Sequence, residues 1–209
     1  MIPDRKRKTK DPCPDCFLNR SLCICAFIPN LDLKTRLCLV VHAKELKRTT
    51  NTGRLAIKAL ANSEMRIRGV HQGEQNEALD LSDLLKENYR TFLFYPAEDA
   101  LELTPQLVAE SSKPIQLIVP DGNWRQASKV HYRHHELKDV PRVKISTPNA
   151  SPHHMRIENT EEGMATLQAI AQAIEIIEGP TAGGALMKLY NEKLKNTLIG
   201  RGVLPKASN

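Results

Sequence analysis

Short apolar runs alternate with amphipathic stretches along the chain, and this alternation predicts the secondary structure. Residues 37–41 form a short continuous apolar run that predicts a buried strand, and further strands are predicted at 65–70, 92–95, 115–119 and 142–145. Helical patterns cover 79–87, a stretch from about 125, 161–178 and 184–198, of which 161–178 is expected to be the longest. Thr104 and Pro105 have the cap-then-proline pattern of a helix start. Strands that alternate with helices predict an α/β fold with a mostly parallel sheet flanked by helices.

Several of the predicted strands end at the edge of the sheet where parallel sheets bind their ligands. His42 closes the first strand, Pro96 stops the third, and a loop that begins at Asp121 follows the fourth. Asn51 or Thr52 is the expected N-cap of a helix that follows the first strand. We therefore expect a functional site at this edge.

The chain is basic, with 30 Lys and Arg against 24 Asp and Glu and a net charge of +6. The excess lies in 1–10 and in 125–144, and two such basic runs attract polyanions through counterion release. Only 4% of the residues are aromatic, which disfavours single-strand binding by base stacking and favours recognition of a folded RNA. No apolar run can span a bilayer and 1–10 lacks the apolar segment of a secretory signal, so we expect a cytoplasmic protein without membrane contact.

Four of the five cysteines form two closely spaced pairs, Cys13 with Cys16 and Cys23 with Cys25. Two such pairs on tight turns direct four thiolates to one ion and leave no open coordination position, so a structural zinc site is expected. An iron–sulfur cluster and a redox pair are the alternatives. Cys38 falls inside a predicted strand, where a small core residue is expected. The expected organisation is a basic flexible tail at 1–10, a zinc knuckle at 11–30 and an α/β domain at 31–209.

The loop after the fourth predicted strand reads Asp121, Gly122, Asn123 and Trp124. The carboxylate lies at the mouth of the sheet, and the glycine permits close backbone approach of a ligand. The tryptophan can stack on a purine or cap the core. These residues alone are a weak signal, because Asp and Gly form turns in most proteins.

The order of several motifs resembles the DTW-domain family of tRNA-uridine aminocarboxypropyltransferases, over nearly all of the chain from Cys13 to about Gly179. Besides the cysteines, the motifs are His42-Ala-Lys-Glu45, Asn51-Thr-Gly-Arg54, Leu93-Phe-Tyr-Pro96, Asp121-Gly-Asn-Trp124, Ser151-Pro-His-His-Met-Arg156 and Thr166-Leu167-Gln-Ala169. The chain departs from the family pattern where Asn123 replaces the threonine of the name motif. Ala165 and Gln168 likewise replace a serine and a glutamate.

The resemblance implies transfer of the 3-amino-3-carboxypropyl group of S-adenosylmethionine to N3 of a uridine in tRNA, with release of methylthioadenosine. It also implies a SPOUT-like fold with a knotted cofactor-binding end, and a catalytic role for residues 31–209. The implied catalytic residues are Asp121, Asn123 and Trp124. The implied S-adenosylmethionine-binding residues are Pro120, Gly122, Trp124, Ser151, His154, Arg156, Thr166 and Leu167. The implied RNA-binding residues are His42, Asn51, Arg54, Arg125, Lys129 and Arg133.

The role of Asp121 has two interpretations. Its carboxylate either accepts the N3 proton of uridine, or it binds a cofactor hydroxyl or caps the following helix. Three other functions stay open for the whole chain: a SPOUT-type RNA methyltransferase, a non-catalytic zinc-containing RNA-binding protein, and a structural or interaction protein. The oligomeric state is also open, with dimerisation suggested only by analogy to knotted relatives.

Overall fold

A computed structural model describes residues 9–70, 79–146 and 164–205, and within them six strands form one sheet. The strands are β1 (Arg36–His42), β2 (Ser63–Arg68), β3 (Arg90–Phe94), β4 (Leu101–Glu102), β5 (Ile115–Asp121) and β6 (Arg142–Lys144). Their order is β2-β1-β5-β3-β6-β4, and every neighbouring pair is parallel. The prediction of a mostly parallel sheet flanked by helices is confirmed.

Helices cover both faces of this sheet. They are α1 (Gly53–Ala59), α2 (Pro105–Ala109), α3 (Trp124–Arg133), α4 (Thr166–Glu178) and α5 (Pro180–Gly200). On one face, Leu39 and Val41 of β1 belong to the larger core with α1, α2, α4 and α5. On the other face, Cys38 and Val40 join α3 in a smaller core. Cys38 is fully buried there, as expected for a small core residue.

The segment 79–87 is not the helix that its pattern predicts, and only a short 3-10 turn, Ser82–Leu84, forms there. The side chain of Asp80 accepts a hydrogen bond of 2.9 Å from the N–H of Ser82, and the N–H of Leu81 donates to Glu136. Side-chain acceptors therefore bind the backbone donors that a helix would pair internally. Leu81 and Leu84 have helical spacing because both fill the smaller core from this turn.

The last two helices differ from the prediction in length. Residues 164–165 are not helical, so α4 begins at Thr166 rather than at 161, and it has 13 residues. α5 begins at Pro180 rather than at 184 and has 21 residues, so the expectation that 161–178 holds the longest helix is wrong. Proline suits the first position of a helix because its missing N–H has no intrahelical partner to lose. No helix in the described segments is long and apolar enough to cross a membrane.

Smaller differences concern two strands and one cap. β2 ends at Arg68 and not at Val70, because Gly69 adopts a φ of 71°, which is outside the extended region. β4 is missing from the prediction, since two exposed residues give no pattern of alternation. The predicted start of α2 is confirmed, with the hydroxyl of Thr104 accepting from the N–H of Leu107 at 3.1 Å.

Candidate active site and metal centre

The four knuckle cysteines converge on one point. Their sulfur atoms all lie within 4.8 Å of one another, with 3.6 Å between Cys13 and Cys25, 3.8 Å between Cys16 and Cys23, and 3.5 Å between Cys13 and Cys23. A tetrahedral zinc ion with Zn–S bonds of about 2.3 Å places its sulfurs about 3.8 Å apart, so the cluster fits one such ion. All four cysteines are free of disulfides. Separate irons of a four-iron cluster would hold the sulfurs farther apart, which favours a single ion.

Backbone hydrogen bonds of the knuckle favour the thiolate form of Cys13. The N–H of Cys13 donates to the carbonyl of Leu18 at 2.7 Å, and the N–H of Phe17 donates to the carbonyl of Cys13 at 2.9 Å. Phe17 closes the turn in the left-handed region, with a φ of 59°. The backbone N–H of Cys16 lowers the pKa of Cys13 to about 6, although burial opposes this shift. The thiolate is the form that binds zinc, whereas burial raises the pKa of the neighbouring Cys25.

Basic side chains attach the knuckle to the α/β layer. The buried ammonium group of Lys193 in α5 donates to the carbonyl of Cys16 at 2.6 Å. The guanidinium of Arg54 in α1 lies 3.7 Å from the centre of the Phe17 ring, and Lys58 pairs with Asp15 at 2.7 Å. The resemblance implies that Arg54 binds RNA, whereas the structure packs its side chain on the knuckle, where burial lowers its pKa.

A buried carboxylate lies at the carboxyl end of the central strand β5. Asp121 is 6% exposed, and its two oxygens accept from different elements. The side-chain amide of Asn51 donates to Oδ2 at 2.7 Å, and the hydroxyl of Thr166 donates to Oδ1 at 2.6 Å. Gly53 allows this packing, because a Cβ there would lie 2.9 Å from Oδ2. Asp121 therefore holds the starts of α1 and α4 against the end of β5.

A second hydrogen bond reinforces this junction. The hydroxyl of Thr52 accepts from the N–H of Leu167 at 3.1 Å, and both residues are buried. The N-cap residue of α1 is Thr52, and the preceding Asn51 binds the first turn through its Oδ1, which accepts from the N–H of Arg54 at 3.3 Å. The resemblance implies an RNA-binding role for Asn51, whereas the structure places its side chain in the Asp121 network.

The rest of the Asp121 loop begins α3. Asn123 caps this helix in a capping box with Gln126, with both hydrogen bonds at 2.9 Å. Gly122 is required beside the box, because a Cβ there would lie 2.8 Å from Cβ of Gln126. Pro120 is buried in β5, one residue before Asp121. Asn123, for which the resemblance implies a catalytic role, therefore has its side chain engaged in holding the helix start.

Apart from His42, the remaining expected site residues fall into two groups. Arg125, Lys129 and Arg133 follow one another at four-residue spacing along α3 and so share one side of the helix. The side chain of Trp124, and Ser151, His154 and Arg156 entirely, lie outside the described part of the chain.

His42 lies at the end of β1, next to the edge strand β2. Its Nδ1 accepts from the backbone N–H of Lys44 at 3.1 Å. Burial, then the positive charges of Arg68 and Lys44, lower the pKa of His42. The imidazole is therefore held in its neutral form, with the proton on Nε2.

Several residues of the site carry no signal in the sequence. Lys193 occupies an ordinary position in a helical pattern, and only the fold brings it to a cysteine carbonyl 177 positions away. In the sequence, Gly53 looks like an ordinary glycine at a helix start, and only the structure shows its close contact with Asp121. Arg66 and Arg68 alternate along one strand and look equivalent in the sequence. Only the structure shows that Arg66 pairs with Asp83, whereas Arg68 donates to the carbonyl of Gln126.

Comparison with known proteins identifies several relatives. Proteins described as tRNA-uridine aminocarboxypropyltransferase 2 are 24% identical in Macaca fascicularis and 25% in Drosophila melanogaster, over 85% and 84% of this chain. These alignments cover 60% and 68% of the relatives, so the chain spans about 60% of the length of the macaque protein. The solved structure of the SAM-dependent rRNA:acp-transferase Tsr3 from Vulcanisaeta distributa is 15% identical, with a TM-score of 0.46 over 80% of this chain and 79% of that chain.

A family model defines the relationship more broadly than any single relative. The model of the DTW domain matches residues 10–198. This range includes the four knuckle cysteines, the Asp121 network and nearly all of α5. The chain belongs to the DTW-domain family.

Proposed function

We propose that this chain transfers the 3-amino-3-carboxypropyl group of S-adenosylmethionine to N3 of a uridine in tRNA, in the cytoplasm. The observation that carries the proposal is the Asp121 network, which holds a buried carboxylate at the carboxyl edge of the parallel sheet in a DTW domain. The names of the relatives support the same reaction and substrate class.

The reaction needs a base and a positioned co-substrate. N3 of uridine attacks the carbon next to sulfur in the aminocarboxypropyl group, the C–S bond breaks, and its electron pair leaves with neutral methylthioadenosine. The N3 proton must pass to an acceptor, and we assign that role to Asp121. Hydrogen bonds from Asn51 and Thr166 hold this carboxylate in place at the end of β5. The sulfonium is already activated, so the selection of this carbon over the methyl group depends on positioning.

The knuckle has a structural role in this proposal. Zinc, when bound, would be held by the four cysteines and would supply stability rather than a reactive site, because four sulfurs complete its tetrahedron. Residues 120–124 and 166–167 would contribute to the S-adenosylmethionine site, together with 151–156. The basic side of α3 would contact the tRNA.

The test is a transfer assay with unmodified tRNA and S-adenosylmethionine. Nucleoside mass spectrometry should find an aminocarboxypropyl uridine, and methylthioadenosine should appear in equal amount. A methylated nucleoside with S-adenosylhomocysteine would assign the chain to the SPOUT-type methyltransferases instead. Binding of tRNA without any new nucleoside would leave a non-catalytic RNA-binding protein.

Variants of the network then test the role of Asp121. Asp121→Asn should lower kcat by roughly 10²- to 10⁴-fold, the usual contribution of a general base. Thr166→Val leaves the carboxylate in place but removes one donor, so a smaller loss of kcat is expected. Asp139→Asn is the matched control, since it makes the same change at an exposed carboxylate. If Asp121→Asn instead raises KM for S-adenosylmethionine with kcat unchanged, Asp121 binds the co-substrate and is not the base.

A further inference from the structure

A group of basic side chains surrounds His42 at the carboxyl edge of the sheet. We call Lys44, Arg68, Lys129 and Arg133 the His42 cluster. His42 and Arg68 are register partners on β1 and β2. The guanidinium of Arg68 donates to the carbonyl of Gln126 in α3 at 2.5 Å, which connects β2 to the helix that carries Lys129 and Arg133. Three positive charges, those of Lys44, Arg68 and Lys129, therefore act on one imidazole, and Arg133 adds a fourth beside Arg68.

The imidazole of His42 is held in a fixed orientation. Its Nδ1 accepts from the N–H of Lys44, and the backbone of Gly69 packs against the opposite side of the ring. A Cβ at Gly69 would lie 3.0 Å from Nε2, and Gly69 has a φ of 71°, so this approach depends on glycine. With Nδ1 acting as acceptor, the proton lies on Nε2, which makes that atom a hydrogen-bond donor.

The charges of this cluster are not balanced by acidic side chains in the described residues. The other arginines of the strands each form a salt bridge: Arg36, Arg66, Arg90 and Arg142. Arg68 has only the carbonyl of Gln126 as a described partner, and Lys44, Lys129 and Arg133 form none of the described ion pairs. Burial and the charge of Arg133 lower the pKa of Arg68, and the charges of Arg68, Lys44 and Lys129 all act to lower the pKa of His42. Among the described residues Glu45 raises it, and this carboxylate pairs with Arg48.

We propose that the His42 cluster binds a backbone phosphate of the tRNA next to the target uridine. The inference rests on the proposed function and extends it from the reacting uridine to the RNA backbone that carries it. A polyanion reduces the repulsion between positive charges that the fold holds together. The imidazole N–H, the guanidinium groups and the ammonium groups can all donate hydrogen bonds to a phosphate. Val41 is the register partner of Asp121, so the cluster begins one residue beyond the Asp121 network, on the α3 face of the same sheet edge.

The experiment measures tRNA affinity against salt concentration for the full chain and two sets of variants. Lys129→Gln/Arg133→Gln and Arg68→Gln remove cluster charges, and Lys188→Gln/Lys195→Gln removes two exposed charges from α5 as the matched control. For the double cluster variant we expect affinity to fall by roughly 10- to 100-fold at low salt. The slope of log K against log salt should become shallower by about 0.7–0.9 for each phosphate that the variant no longer neutralises. Affinity for S-adenosylmethionine should stay unchanged.

A second measurement examines the cluster without any enzymatic activity. The pKa of His42, followed by NMR of histidine-labelled protein, should rise in Arg68→Gln because a neighbouring positive charge is removed. It should also rise in the unaltered protein when tRNA binds, because a phosphate stabilises the imidazolium. These readouts do not depend on group transfer, so a chain that binds tRNA here but forms no new nucleoside would refute the proposed function while the phosphate contact itself still stands.

Two results would overturn the inference. Cluster variants that bind tRNA with the affinity and salt slope of the α5 control would show that no phosphate lies there. Cluster variants that bind S-adenosylmethionine more weakly but keep tRNA binding would assign the charges to the carboxylate of the co-substrate. If the chain still transfers the aminocarboxypropyl group when either result is obtained, this inference fails and the proposed function stands.

Discussion

Replacement of Lys193 by methionine tests how the metal centre is held in the fold. The Lys193 side chain is fully buried, and its ammonium group donates to the carbonyl of Cys16 at 2.6 Å. Lys193→Met keeps most of the apolar stem but removes the charge and the donor. The carbonyl of Cys16 then loses its described side-chain donor, next to the four thiolates.

The expected cost follows from three contributions. A hydrogen bond from a charged donor contributes about 1.5–3 kcal/mol, and the variant forgoes this stabilisation. Two negative charges remain when four thiolates bind one Zn²⁺, so removal of a nearby cation also destabilises the loaded centre. Removal of the desolvation cost of a buried ammonium group opposes both effects. We expect a net decrease of about 2 kcal/mol in the free energy of unfolding, or about 4–8 °C in Tm for a chain of this size.

Thermal denaturation of the zinc-loaded protein and the rate of zinc release to a chelator are the measurements. Lys195→Met is the control, because it makes the same change at an exposed position of α5. Lys193→Met should melt at a lower temperature and release zinc faster than this control. Equal Tm values and equal release rates for the two variants would refute the reasoning, since the buried hydrogen bond would then contribute nothing.

The remaining predictions concern packing, pH and a helix cap. In urea denaturation, Gly183→Ala should destabilise the fold by about 2 kcal/mol or more, because its Cβ would lie 2.3 Å from Cβ of Glu175. Gly184→Ala is the control: its Cβ would meet no atom within 4 Å, so the change should be neutral or stabilising by up to ~1 kcal/mol. Burial and neighbouring charges lower the pKa of His42 below 6.5 in the folded protein, so the unfolded state binds the proton more readily. The free energy of unfolding should therefore fall as the pH drops from about 6.5 through the folded pKa. In denaturant titrations, His42→Gln should flatten this dependence. Asn123→Ala should cost about 1 kcal/mol of stability, whereas Asn123→Thr should retain the cap and lie within a few tenths of the unaltered protein.

The buried strands are predictable because their apolar runs are continuous. β1 and β5 are covered on both faces, so apolar residues dominate both strands, and the polar Gln116 of β5 is itself buried. The segment 79–87 misleads the prediction because two core leucines at helical spacing look alike whether a helix or a turn presents them. The start of α5 is hidden by Gly183 and Gly184, of which only Gly183 is required for close packing against α4.

The metal ligands are predictable because all four belong to one short stretch, and their converging sulfur atoms confirm the cluster. The Asp121 network is only partly predictable, because it joins residues that are far apart in the chain. The motifs indicate Asp121 and Thr166 separately, but only the fold shows that Asn51 and Thr166 bind the two oxygens of one carboxylate. The same limit applies to Arg68. Whether an acidic side chain lies beside it depends on residues that only the fold brings near, so the sequence could not predict its lack of a described acidic partner.

The contact between Lys193 and Cys16 has a consequence for biosynthesis. A ribosome makes the knuckle first and reaches Lys193 177 positions later, so the cysteines emerge well before the helix that anchors them. During this interval the thiols lack their final packing and must be kept reduced or bound to metal by other means. Chains that terminate before α5 would carry a knuckle with no ammonium group to fasten it.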